Sequence, residues 1–124
     1  MILRKLRRGV AEEVRSEVGP RAILLIDDRA NSLGLESRGA LQIRGNGCLA
    51  ATAEAILFRQ WLPRKQIRIP RARIIAIERV RWHLGKSYGR PLLKVRFTSE
   101  NGQPDSIAWY VRDLEAWEAT LGVS

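Results

Sequence analysis

The chain has 124 residues, a single cysteine (Cys48), and 22 basic against 13 acidic side chains, a formal net charge of +9. That length suits one domain with a core of its own, and one cysteine excludes an internal disulfide and points to a reducing compartment. AILLI, at 22–26, is far too short to span a bilayer, and MILRKLRRG lacks the apolar stretch of a signal peptide, so a cytoplasmic location, or a peripheral one at the inner membrane surface, is expected.

Leu3, Leu6, Val10, Val14 and Val18 recur at three- and four-residue steps, which predicts an amphipathic helix over 3–18 that Gly19-Pro20 stops. Its first turns carry Arg4, Lys5, Arg7 and Arg8, so residues 1–20 form a basic helical unit ahead of a second unit at 21–124. AILLI reads as a buried strand, and DDRANSLG (27–34) as a turn. In ALQIRGNGCLAAT (40–52) the pair Asn46-Gly47 is a strong hairpin signal. AILFRQW (55–61), QIRIP (66–70), IIAIERVRWHL (74–84), PLLKVRFTS (91–99) and SIAWYV (106–111) read as further strands, with a second Asn-Gly turn at 101–102. Asp113 is a good N-cap for the helix LEAWEATL, which Gly122 ends. The expected fold is mainly β: about seven short antiparallel strands in a small barrel or a pair of packed sheets, with a C-terminal amphipathic helix covering an open end and an N-terminal helix added.

The motifs RGNGCLAAT (44–52), ILF (56–58), IRIP (67–70), HLGKS (83–87), PLLKVRF (91–97) and IAWYVRDLEAWEATL (107–121) follow one another in an order that resembles small bacterial pleckstrin-homology-like proteins, related in shape to GRAM domains. The resemblance covers roughly residues 21–121 and implies a seven-stranded, strongly bent antiparallel barrel capped by its C-terminal helix. Eukaryotic relatives often bind phosphoinositides or proteins, through a basic pocket in the first hairpin; here AILLIDDRANSLG is acidic at that place. The resemblance therefore carries no lipid-binding residue over to this chain, and fold alone does not fix function.

The charge is concentrated. From Arg59 to Arg96 twelve Lys and Arg face the single acid Glu78, while the rest of the chain holds ten basic and twelve acidic residues. Such a segment attracts polyanions. If 74–84 and 91–99 pair as a hairpin, Arg79, Arg81, Lys94 and Arg96 form an outward patch, with Lys86 and Arg90 at its tip. These six are the candidate anion- or partner-binding residues, and Arg4, Lys5, Arg7 and Arg8 form a candidate membrane or partner helix. Trp82, Trp109 and Trp117 are expected in the core, Trp61 and Tyr88 outside it.

LGKS in 84–87 suggests a P-loop, but Val80 stands where that motif needs glycine and a strand, not a helix, follows. His83 is the sole histidine, Cys48 reads as a small buried hydrophobe, and Asp27-Asp28 project apart. No catalytic set, metal cage or cofactor fingerprint assembles. The expected function is non-enzymatic and needs no cofactor: a binding or adaptor module whose basic face takes an acidic protein partner, or a second copy of itself. Anionic lipid is the alternative, and nucleic acid ranks third.

Overall fold

A computed structural model describes residues 2–39 and 44–122, with side chains from residue 4. The elements are α1 (Ile2–Val18), β1 (Ile23–Leu35), β2 (Gly45–Thr52), β3 (Ala55–Gln60), β4 (Lys65–Pro70), β5 (Ile74–Val80), β6 (Leu92–Thr98), β7 (Pro104–Tyr110) and α2 (Leu114–Leu121). Among the described residues seven strands form one antiparallel sheet in the order β4-β3-β2-β1-β7-β6-β5.

The closed barrel implied by the pleckstrin-homology-like resemblance is overturned: this sheet is open, and β4 and β5 are its two edges. Both edges carry cations, Lys65 and Arg68 on β4 and Arg79 on β5. Pro70, at the end of β4, has no amide to donate. The chain crosses between them through the three-residue helical turn Arg71–Arg73. There Arg71 donates to the carbonyls of Thr52 (3.2 Å) and Thr120 (3.1 Å), which ties the crossing to the end of α2.

The sheet has two covered faces. On the inner one, Leu49, Phe58 and Ile69 from one half meet Ile77, Val95, Ile107 and Trp109 from the other, and α2 adds Trp117 to the same cluster. The Phe58 and Trp109 rings pack tilted, with centroids 5.8 Å apart. Asp113 caps α2 as expected, accepting from the Ala116 amide at 3.1 Å, and Gly122 ends it at φ 78°.

The outer face of β1–β3 is covered by α1. Its predicted stripe is the buried one: Val10, Ala11 and Val14 pack on Cys48, Ala50, Leu57 and Trp61, with Leu6, Val18 and Ile26 around them. Leu3 belongs to the same stripe in the sequence, but its side chain lies outside the described residues. Each fully buried valine contributes about 1.5–3 kcal/mol. Arg59 of β3 then pins the helix by donating to Glu13 (3.3 Å) and Glu17 (3.0 Å). Trp61, expected outside, is thus buried beneath α1.

Two predicted turns are strand instead. DDRANSLG lies inside the thirteen-residue β1, because each turn former finds a partner there. Asp27 accepts from the Arg29 and Arg112 amides, Asn31 donates to Asn46, and the Ser32 hydroxyl accepts from the Gly34 amide. A register shift between Asp27 and Ala30 absorbs the irregularity. Asn46-Gly47 sits within β2, paired on both sides. A Cβ at Gly47 would lie 2.4 Å from the Arg59 carbonyl oxygen, so close strand approach, not a turn, requires this glycine. Residues 40–43, the start of the predicted hairpin, lie outside the described residues. The second pair, Asn101-Gly102, does form a turn: the Gly102 amide donates to the Ser99 carbonyl at 2.9 Å, with φ 83° at the glycine.

Candidate basic surface and strand edge

The predicted basic patch rests on how β5 and β6 pair. Glu78 faces Lys94 and Arg79 faces Leu93, so Lys94 and Arg96 share the outer face with Glu78, while Arg79 belongs to the opposite one. Arg79 is engaged there by Glu118 of α2, donating from Nε to Oε2 at 3.0 Å and from Nη2 to Oε1. Its hydrogen bonds hold the Glu118 carboxyl below the usual carboxylate range. Arg96 lies 3.8 Å from Glu78. On α1, Arg4, Lys5 and Arg8 are exposed and Arg7 is 3.9 Å from Asp28.

The remaining predicted residues lie on the β5–β6 connection. β5 stops at Val80, and residues 81–91 fold back over the outer face of β1, β7 and β6 as a flap. Beneath it Leu33, Leu92 and Ala108 are fully buried, with Val80 and Tyr110 at their margin. The His83 and Lys86 backbones exchange two hydrogen bonds of 2.9 Å around Leu84 (φ 54°) and Gly85 (φ 73°). A two-residue loop with both φ positive is a type I′ hairpin turn. LGKS is therefore the tip of a miniature hairpin, with no helix behind it to hold a phosphate. Leucine is a poor occupant of a left-handed position, so Leu84→Asn is expected to raise stability by about 0.5–1 kcal/mol in chemical denaturation.

Three contacts fasten the flap. The His83 Nε2–H donates to the Gly34 carbonyl at 2.8 Å, Lys86 Nζ donates to the Leu33 carbonyl at 3.2 Å, and Arg44 Nη2 donates to the Ser87 carbonyl at 2.7 Å. Tyr88 stacks on Tyr110 with centroids 4.4 Å apart, and the Arg44 guanidinium lies 5.8 Å from the Tyr88 centroid. Lys86 thus serves the fold. Trp82, expected in the core, is 65% exposed. The strand alternation that would have turned it inward ends two residues earlier.

Burial pushes His83 below its ordinary value; Lys94 and Lys86 act in the same direction, while the Gly34 hydrogen bond and Glu36 oppose. The folded chain therefore keeps this ring neutral where the unfolded chain, titrating near about 6.5, takes up a proton. The stabilisation is complete above that pH and is lost progressively as pH falls below it. Urea denaturation from pH 7.5 down to 5.5 should show falling stability, and His83→Gln should flatten that slope.

Six of the twelve cations between 59 and 96 have neither ion-pair nor hydrogen-bond partner among the described residues: Lys65, Arg68, Arg73, Arg81, Arg90 and Lys94. Sequence reasoning passed over Arg73 and Ile75 altogether. Ile75 is 60% exposed at a register shift between Ile74 and Ala76. The legible signal was the run Ile74-Ile75, two apolar residues that break the alternation of a half-buried strand.

Clefts also open on this surface among the described residues. One of about 240 Å³, between β1, Arg38 and β4, includes Ser32, Gln60 and Lys65. Another of about 570 Å³, past the end of α1, has mixed charge from Glu17, Arg21, Glu54 and Arg68 around Leu24 and Leu57. Cys48 is fully buried, and burial pushes its thiol up to about 12. The described residues hold no group of three or more His, Cys, Asp or Glu placed to bind a metal, and no described helix is long and apolar enough to cross a membrane. No protein-family model matches the chain, and no curated protein does.

Proposed function

We propose that this chain is a non-enzymatic binding module whose basic surface takes an acidic protein partner. The observation that carries this reading is the set of six unpartnered cations between residues 59 and 96, in a segment whose single acid, Glu78, lies beside Arg96. A surface with that surplus gains Coulomb energy from an acidic face and repels basic ones. Arg and Trp are also the side chains that most often carry interface energy. The two groups best suited to nucleophilic or acid–base chemistry, Cys48 and His83, are buried and engaged in packing or hydrogen bonding, which favours binding over catalysis.

Anionic lipid is the second reading, favoured by Trp82, which stands exposed beside Arg81 on the flap. An aromatic ring beside a cation suits a membrane interface. One set of titrations separates the readings: fluorescent polyglutamate, vesicles with and without phosphatidylserine, and single-stranded RNA, at about 50 and 300 mM salt. Binding of polyglutamate that weakens with salt, without comparable binding of vesicles or RNA, is the expected result. Preference for anionic vesicles moves the function to the membrane surface, and preference for RNA moves it to nucleic acid. Either outcome overturns the acidic-protein reading.

A further inference from the structure

We infer that the free edge of β5 is a docking strand for an extended acidic segment of the partner protein. The inference rests on the acidic-partner reading and gives it a place and a geometry. Among the described residues β5 is hydrogen-bonded to β6 alone. Past the irregularity at Ile75 its register is regular from Ala76 to Val80, so alternate N–H and C=O groups of this stretch point away from the sheet. No backbone hydrogen bond from outside the sheet reaches β5 among the described residues.

Both ends of the edge carry the same equipment. Arg73 and then Ile75 stand at the start, Arg81 and then Trp82 just beyond the finish. The two arginines are exposed without partners among the described residues, and the two apolar side chains are 60% and 65% exposed. Arg73 and Arg81 are eight residue steps apart and a strand rises about 3.3 Å per residue, so a segment of roughly seven to nine residues spans the distance between these anchors. Carboxylates near its ends meet the two guanidinium groups in charge-assisted hydrogen bonds, and apolar residues beside them cover Ile75 and Trp82.

The charges also choose among occupants. Two copies of this edge, paired antiparallel about a two-fold axis through Ile77, would set Arg73 of each opposite Arg81 of the other, which repels self-association. The β4 edge ends on Pro70, where no amide completes a ladder. Lipid headgroups and nucleic-acid backbones match the charge but offer no strand to continue the sheet.

The test uses two fluorescein-labelled ten-residue peptides of equal charge, (Glu-Val)5 and (Glu-Pro)5, the second unable to extend a ladder. The valine peptide is expected to bind about tenfold more tightly or better, and to slow amide exchange within 76–80. Arg73→Glu combined with Arg81→Glu, both on the surface, should weaken it by roughly tenfold or more. The exchange measurement on the unaltered chain stands whether or not that variant folds. Equal binding of both peptides, or protection outside β5, overturns the edge assignment and leaves the acidic-partner reading intact. Binding of neither overturns both.

Discussion

Trp117→Ala is expected to cost about 3–5 kcal/mol of stability, a large share of what a domain this size possesses. Trp117 is 1% exposed and is the residue through which α2 enters the inner core. Removing it takes away the largest side chain on a helix of eight residues, too short to persist by itself. α2 should then detach and free Glu118 from Arg79 and the Thr120 carbonyl from Arg71, uncovering the crossing between the sheet edges. The measurement is urea denaturation followed by tryptophan fluorescence and circular dichroism. A loss below about 1 kcal/mol would mean that α2 does not hold the two halves of the sheet together.

The second large effect concerns α1. Val14 is fully buried against the sheet, and Val14→Asp places a carboxylate in an apolar site at a cost of about 3 kcal/mol or more. Cys48 lies under the same helix and reports its position. In the unaltered chain its buried, fully protonated thiol should resist a thiol reagent at pH 8 under native conditions. In Val14→Asp it should react orders of magnitude faster as the helix lifts. Rapid labelling of the unaltered chain would show instead that α1 leaves the sheet easily, with its apolar stripe free for another surface. As folded, that stripe packs on the chain's own sheet, and the same helix turns the cations Arg4, Lys5, Arg8 and Arg15 outward together with Glu12 and Glu17.

What the sequence made legible was local. The α1 stripe, the Asp113 cap and the strands from β3 to β7 follow from spacing and turn chemistry, and the structure has them in place. What stayed hidden was set by long-range partners. β1 runs through a segment of turn formers because Arg112, Asn46 and its own amides satisfy them, and no local signal carries those contacts. Closure of a sheet is likewise invisible to periodicity: the strand pattern alone suggests a small barrel or a pair of packed sheets, the resemblance narrows that to a barrel, and the sheet is open. The basic segment was correctly seen as a charge surplus, but alternation was extended past Val80, where the strand ends. That one step put Trp82 inside and set Arg79 beside Lys94, whereas Glu118 and Leu93 are its actual neighbours. Arg59 and Lys86 show the other limit: their charge counts in any tally, yet one is consumed by Glu13 and Glu17 and the other by a carbonyl.

The position of β1 has a consequence for how the chain reaches this state. β1 is the strand that joins the two halves, bonded to β2 on one flank and to β7 on the other. Its neighbour β2 follows it closely in synthesis, but β7 emerges from the ribosome last among the strands. Until then one flank of β1 has open amides, with Leu33 beside them. Each half is a meander of local pairings, while the join of β1 to β7 is the most distant contact in the sheet, the slow kind of step in β proteins. A nascent chain halted before residue 104 should therefore hold β1–β4 in place and remain a client for chaperones, and release of β7 should be the event that commits it to the native state.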